Sequence, residues 1–581
     1  MHPAETPPSP WRRPLFITAG LSLLALGAAM NLTTMGSAEP PAMATVHAPP
    51  PAAARKDAPT TELDATLQGQ ALGETYGHVE LGASVATADD AKSTFAIDVD
   101  TAAYANVRRF VLSSGELPPA DAVRTEELIN YFDYAYPEPE GTPFSVTTEI
   151  ASAPWNPERR LLHIGIQGRH VDAAAVPPRN LVFLVDVSGS MAAADKLPLL
   201  QRGLADLAAQ MTARDRISLV VYAGAAGTVL EPTSGADQDA ILDALRELRA
   251  GGSTNGAAGI EAAYDLARAG FIEGGINRVI IATDGDFNVG TTDHDALIDL
   301  IAAERETGVS LSVLGFGRGN LDDHLMEQLA DTGDGNYAYI DGALEAHKVL
   351  VEEVGAMLQT IAKDVKIQVE FDPSRVARHR LIGYENRVMA HEAFADDARD
   401  GGEIGVGHTV TALYELELTE DAADDPLGTL SLRHQTPQGG ASEAQAVPVV
   451  DAGLTLDDTS DAYRFSAAVA MFGQKLRGSD AQADIRYADI VRLASGALGE
   501  DPSCYRHQFL EIAAKAGDIA GETIDVEVPS CTPPHASDET FSAAPATTRM
   551  NWGEMLRLVP PLLALPMFAL AFWRPRRRRR T

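Results

Sequence analysis

The sequence predicts an α/β fold: a doubly wound, mainly parallel sheet flanked on both sides by α+β and β-rich regions. Three observations predict it. Residues 178–358 alternate short apolar runs without helical period (181–185, 217–223, 278–283, 309–317) with amphipathic helical stretches, the pattern of a parallel sheet buried on both faces. From Ala362 the pattern changes to alternating apolar and polar residues in KDVKIQVEF, RLIGYENR and HTVTALYELEL, as in half-buried antiparallel strands. Ahead of both, residues 93–177 carry two helical patterns, near 101–113 and 121–132, and two strand-like runs, 144–150 and 161–166.

Taken in order, residues 1–38 read as a signal peptide or an N-terminal anchor. Arg12 and Arg13 precede an apolar run, 14–32, and Met35, Gly36, Ser37 and Ala38 supply small residues for cleavage. The run is also long enough to span a bilayer, so cleavage and retention both stay open. Residues 39–92, rich in Ala, Pro, Thr and Asp, are expected to be a flexible linker. The N-terminal extension (93–177), the central domain (178–358) and a C-terminal β-rich and helical domain (362–530, helices near 462–476, 485–497 and 505–516) follow. A second linker (537–552) leads to a C-terminal hydrophobic segment (555–573) and an Arg-rich tail (574–581). Basic residues stay on the cytoplasmic side of a membrane, so both ends predict an exported body held at the cell envelope, anchored through one or both apolar segments.

The net charge of −36 over 581 residues excludes nucleic acid as a partner for the body of the chain. The two cysteines, Cys504 and Cys531, lack metal-ligand or CxxC spacing. Paired, they would close a loop of about 27 residues and contribute about 3 to 3.5 kcal/mol. Two free buried thiols are the other reading.

The chemistry is concentrated where the first central strand ends. In NLVFLVDVSGSM, Asp186, Ser188 and Ser190 converge at the strand's carboxyl end, where open α/β sheets bind ligands. Carboxylate and hydroxyl oxygens are hard donors, suited to Mg²⁺, Mn²⁺ or Ca²⁺. Other acidic stretches read as structure. Asp98 and Asp100 are candidate metal ligands that are better placed to cap the helix starting near Thr101, DTGDGNY (331–337) lacks the distal Glu of an EF-hand, and His294 and His324 are isolated. The glycine-dense 400–408 is too irregular for a phosphate loop, and the chain has no HExxH, GxSxG or P-loop.

Together with Thr254 in GGSTN and Asp284 in IIATDGD, the DxSxS motif resembles the metal-ion-dependent adhesion site of von Willebrand factor type A (VWA) domains. The stretches TIAKDVKIQVEF, LIGYENR and HTVTALYE extend the resemblance, over about 93–520, to a set of bacterial envelope proteins with an N-terminal extension and a C-terminal domain around the type A domain. The resemblance implies that Ser188 and Ser190 bind the ion directly. Thr254 joins when ligand is engaged, and Asp186 and Asp284 act directly or through water. Gly189, Gly251 and Gly252 are expected to let backbone pass close to the ion, and Asp286 to belong to a turn. The implied function is non-enzymatic: a divalent ion that binds a partner protein through an acidic residue. A structural or regulatory subunit of an envelope transporter or assembly complex is an alternative reading, and a metal-assisted hydrolase a further one. Oligomeric state is not legible.

Overall fold

The computed structural model describes residues 74–533 apart from 75, 98–99, 172–174, 224–225, 253–256, 286–293, 319–320, 354–358, 398, 400, 421–425, 438 and 480–483. The signal or anchor, the C-terminal segments from 537 onward, Asp98, Thr254 and Asp286 lie outside these residues. Among the described residues, no helix is long and apolar enough to cross a membrane.

The central sheet has six strands in the order Tyr337–Ile340, Ser310–Phe316, Ile276–Thr283, Arg179–Asp186, Arg216–Tyr222, Ala226–Ser234. The first five run parallel and the last is antiparallel to its neighbour. Because side chains alternate faces along a strand, Leu181, Phe183 and Val185 point to one layer of helices and Val182 and Leu184 to the other. The first set packs with Leu200, Leu204, Ile241 and Leu245 from helices Leu197–Gln210 and Gln238–Glu247. The second packs with Ile260, Ile301 and Leu329 from helices Ala257–Ala269, His294–Arg305 and Asp323–Thr332. A strand sandwiched this way must be apolar throughout, which is why 181–185 reads as it does.

The β-rich stretches on either side of this domain in sequence form one body in space. Strands Phe144–Ala153 and Asn156–Gly168 continue antiparallel into Thr409–Leu418, Val376–Ile382 and Val85–Ala86. A second antiparallel sheet places Lys92–Ala96 on Thr360–Phe371, beside Gly428–Gln435 and Glu443–Val449. One apolar core lies between the sheets, with Phe95, Ile150 and Ile164 from before the central domain and Val369, Tyr414 and Leu430 from after it. Helices mix in the same way: Tyr104, Leu128 and Phe132 pack with Phe465, Phe472 and Phe509 of helices Asp461–Leu476 and Tyr505–Ile519.

Two expectations are corrected here. The linker expected over 39–92 gives way to ordered chain within the described residues from Glu74 onward. Glu74 is buried in an ion pair with Arg109 at 2.9 Å, and Val85–Ala86 is held by a strand almost 300 residues away, a partner that no local pattern reveals. Asp100 does not cap the helix Ala102–Arg108, whose N-cap has no side-chain bond; its Oδ1 accepts the Tyr337 backbone N–H at 2.8 Å. That contact ties the extension to the edge strand of the central sheet.

Buried ion pairs complete the fastening. Arg108 donates to both oxygens of Asp341 and to Glu345, and Arg124 bridges Glu127 and Asp323. Cys504 and Cys531 are joined in a disulfide with Cα atoms 5.7 Å apart, which settles the choice between pairing and free thiols. The 331–337 stretch closes helix Asp323–Thr332 and turns into Tyr337–Ile340, with Asp334 in the left-handed region and paired to Arg305.

Candidate metal centre

Parallel strands end at a common edge, and the register fixes what meets there. Val185 lies beside Ala282 and Asp186 beside Tyr222, so the loops after the two central strands open side by side. Asp186 and Asp284 are both completely buried, Ser188 is nearly so, and Ser190 stands at the exposed rim. The structure therefore brings together four of the five expected ligands; Thr254 is outside the described residues.

The loops are stitched by backbone. Val187 N–H donates to Tyr222 O at 3.1 Å, Gly251 N–H to Val187 O at 2.7 Å, and Gly189 N–H to Gly252 O at 3.3 Å. Of the three glycines expected to admit close approach, Gly252 carries a firm requirement, with φ of 107°. Among the described residues a Cβ at Gly189 would come no nearer than 3.8 Å to another atom and one at Gly251 would have open space, so packing against those residues does not demand glycine there.

Asp186 acts as the organiser. Its Oδ1 accepts the Ser188 N–H at 2.7 Å, and Oδ2 accepts the Thr283 hydroxyl at 3.4 Å. Burial pushes its carboxyl up from the ordinary range, the Ser188 bonds oppose that shift, and the nearby charge of Asp284 adds to it. The Ser188 and Ser190 hydroxyl oxygens are 2.8 Å apart, a pair that leads from buried Ser188 to exposed Ser190. Asp284 Oδ2 accepts from Lys196 Nζ at 2.8 Å, whereas Asp284 Oδ1 is buried with no hydrogen-bond partner among the described residues.

The donors fit a hard divalent ion: an all-oxygen set, one carboxylate oxygen unpartnered, and two hydroxyls at the open end. Among the described residues no group of three or more His, Cys, Asp or Glu could hold a metal, so hydroxyls and water would complete the shell. Sequence reasoning missed Lys196, Tyr222 and Thr283. Thr283 directly precedes a motif residue, but Lys196, ten positions after Asp186, carries no local signal.

Family profiles match in three places: von Willebrand factor over 70–163, von Willebrand factor type A domain over 180–353, and the C-terminal region of uncharacterized protein YfbK over 356–519. Uncharacterized protein YfbK of Escherichia coli (strain K12) is 42% identical over 453 residues, 74% of this chain and 78% of that one. The chain belongs to the YfbK family of VWA proteins. A second relative, uncharacterized protein sll0103 of Synechocystis sp. (strain ATCC 27184 / PCC 6803 / Kazusa), is 26% identical to this YfbK-family chain over 190 residues, 32% of this chain and 44% of that one. Among solved structures, a von Willebrand factor type A protein from Catenulispora acidiphila aligns with a TM-score of 0.37 at 15% identity, covering 64% of this chain and 90% of that one. VWA domains mediate protein–protein interaction and commonly bind a divalent metal.

Proposed function

We propose that this YfbK-family chain is a non-enzymatic binding module of the cell envelope that holds Mg²⁺, with Mn²⁺ or Ca²⁺ as substitutes, and captures an acidic residue of a partner protein. The observation that carries the reading is the fully buried Asp284 Oδ1, without a hydrogen-bond partner among the described residues, at the same sheet edge as Asp186 and the Ser188–Ser190 hydroxyl pair. A bound ion would supply positive charge and an open coordination position for the partner's carboxylate. The protein's own residues do the rest. Asp186 fixes the Ser188 backbone, the two serines hold their oxygens at the rim, and Thr254 reaches the ion when a partner is engaged. Apolar burial of 181–185 keeps the edge rigid.

Calorimetric titration of the full chain with Mg²⁺ and Mn²⁺ tests this. Asp186→Ala is expected to lose roughly tenfold or more in ion affinity, because it removes both a charge and the anchor of Ser188. Thr254→Ala should bind the ion with a smaller loss yet fail to retain a partner in a pull-down with Mg²⁺ that EDTA abolishes. Identical isotherms for all three proteins would reduce the site to a turn. Envelope placement is tested separately: a periplasm-active alkaline phosphatase fused after Asn551 should be active.

A further inference from the structure

Lys196 lies inside the candidate centre, and nothing in the DxSxS, GGST or TDGD stretches calls for it. It is the residue before helix Leu197–Gln210, and its backbone N–H is bonded to Ala193 O at 3.1 Å. Its side chain, 9% exposed, runs inward to place Nζ 2.8 Å from Asp284 Oδ2. The stem occupies a slot that exists only because residue 317 is glycine. A Cβ there would fall 1.9 Å from Lys196 Cε, and the backbone at Gly317 has φ of 71°. The Tyr339 hydroxyl donates to the Gly317 carbonyl at 2.5 Å and pins that wall. The lysine is thus held between two elements, the loop after Ser310–Phe316 and the start of helix Leu197–Gln210.

The charges then have a definite balance. Among the described residues Asp186 and Asp284 bring two negative charges and Lys196 one positive, a single net negative charge before any ion arrives and a single positive one with a divalent ion bound. Without the lysine the loaded site would be neutral. We propose that Lys196 is a built-in counter-cation of the metal centre. It holds Asp284 in place in the metal-free protein, weakens the hold on the ion, and leaves the loaded site with the net positive charge that draws a carboxylate. This rests on the metal reading above.

The decisive variant is Lys196→Met, which keeps the stem and removes the charge. Loss of a positive charge beside the ion should tighten Mn²⁺ and Mg²⁺ binding to the full chain by roughly tenfold. Metal-free protein should melt at a lower temperature, since Asp284 is left buried and unpaired. Mg²⁺ should then raise the melting temperature of the variant by more than it raises that of the wild type, because the ion takes over the lysine's role. Acetate, read by its effect on the electron paramagnetic resonance of bound Mn²⁺, should bind the loaded variant more weakly than the loaded wild type. If Lys196→Met folds only when Mg²⁺ is added, that rescue is the same result in stronger form. Equal isotherms for variant and wild type, an unchanged Mg²⁺ increment in melting temperature, or a variant that stays unfolded at saturating Mg²⁺ would each overturn the proposal and make Lys196 a structural residue. A wild type that binds no ion is a different failure, of the metal reading itself.

Discussion

Replacing Arg108 by Met should expose how strongly the central domain is locked to its frame. The guanidinium is 5% exposed and spends its donors on four side chains. Nε and Nη2 meet Asp341 at 2.8 and 2.5 Å, Nη2 also meets Glu345 at 2.6 Å, and Nη1 meets the Tyr131 hydroxyl at 3.0 Å and Gln508 at 2.9 Å. Removing it leaves two carboxylates facing each other in the interior, with Tyr131 OH, 2.7 Å from Glu345, as a remaining donor. Breaking a buried pair in this way costs about 3–5 kcal/mol. The loss should depend on pH. Burial already raises the Glu345 carboxyl, the Arg108 charge opposes that, and Asp341 adds to it; deleting Arg108 raises it further. A carboxyl whose folded pKa exceeds its unfolded one holds a proton that the unfolded chain has released. Stability therefore falls as pH rises through the window between the two values and recovers on acidification, by about 1.4 kcal/mol per pH unit within it. Urea unfolding of wild type and variant near pH 8 and near pH 5.5 should show the deficit shrinking in acid. A deficit below about 1 kcal/mol, or one that is equal at the two pH values, would refute the argument.

Three further outcomes are expected. Replacing Cys504 and Cys531 by Ser should cost about 3.5 kcal/mol and release the segment carrying Ile524, Val526 and Val528 from the helical core; unchanged hydrogen exchange across 522–531 would contradict it. Asp215, held by Arg179 and Thr212 through contacts of 2.8 to 3.2 Å, is lowered to about 2, so its contribution is present above the ordinary carboxylate value and is lost as pH falls from about 4 toward 2. Asp215→Asn should be less stable than wild type at neutral pH, and the gap should close in that acid window. Asp186→Asn keeps an acceptor for the Ser188 N–H and removes a buried charge beside Asp284, so without metal it should unfold no more easily than wild type in a thermal scan near pH 8; a loss above about 2 kcal/mol would count against it.

The type A domain was legible because its signals are local. Each parallel strand is an apolar run buried on both faces, each helix has its own period, and the DxSxS motif follows the run that places it. The frame was legible as strands but not as partners, since Tyr414 donates to the Ser93 hydroxyl from 321 residues away. Ala226–Ser234 and Glu443–Val449 went unread because edge strands need no apolar alternation; each carries a proline, Pro232 and Pro448, that an interior strand would exclude. At the site, residue types and spacing brought Asp186, Ser188, Ser190 and Asp284 to one sheet edge. They could not indicate Lys196, whose reach to Asp284 depends on where a glycine two strands away leaves space.

The interrupted frame has a consequence for how the chain is made. Strand Asn156–Gly168 cannot acquire its second neighbour, Thr409–Leu418, until the entire type A domain has been synthesised. Built from the N-terminus, the hairpin begun at Phe144 emerges with one ladder of amides and carbonyls open and with Phe95 and Ile164 lacking their facing sheet. Open edges of this kind recruit other chains. The type A domain pairs its six strands among residues 179–340 and needs no later segment to complete its sheet. During biogenesis the vulnerable species is then the half-built frame, and a factor that shields strand edges would act on residues 144–168 in the interval before residue 418 appears.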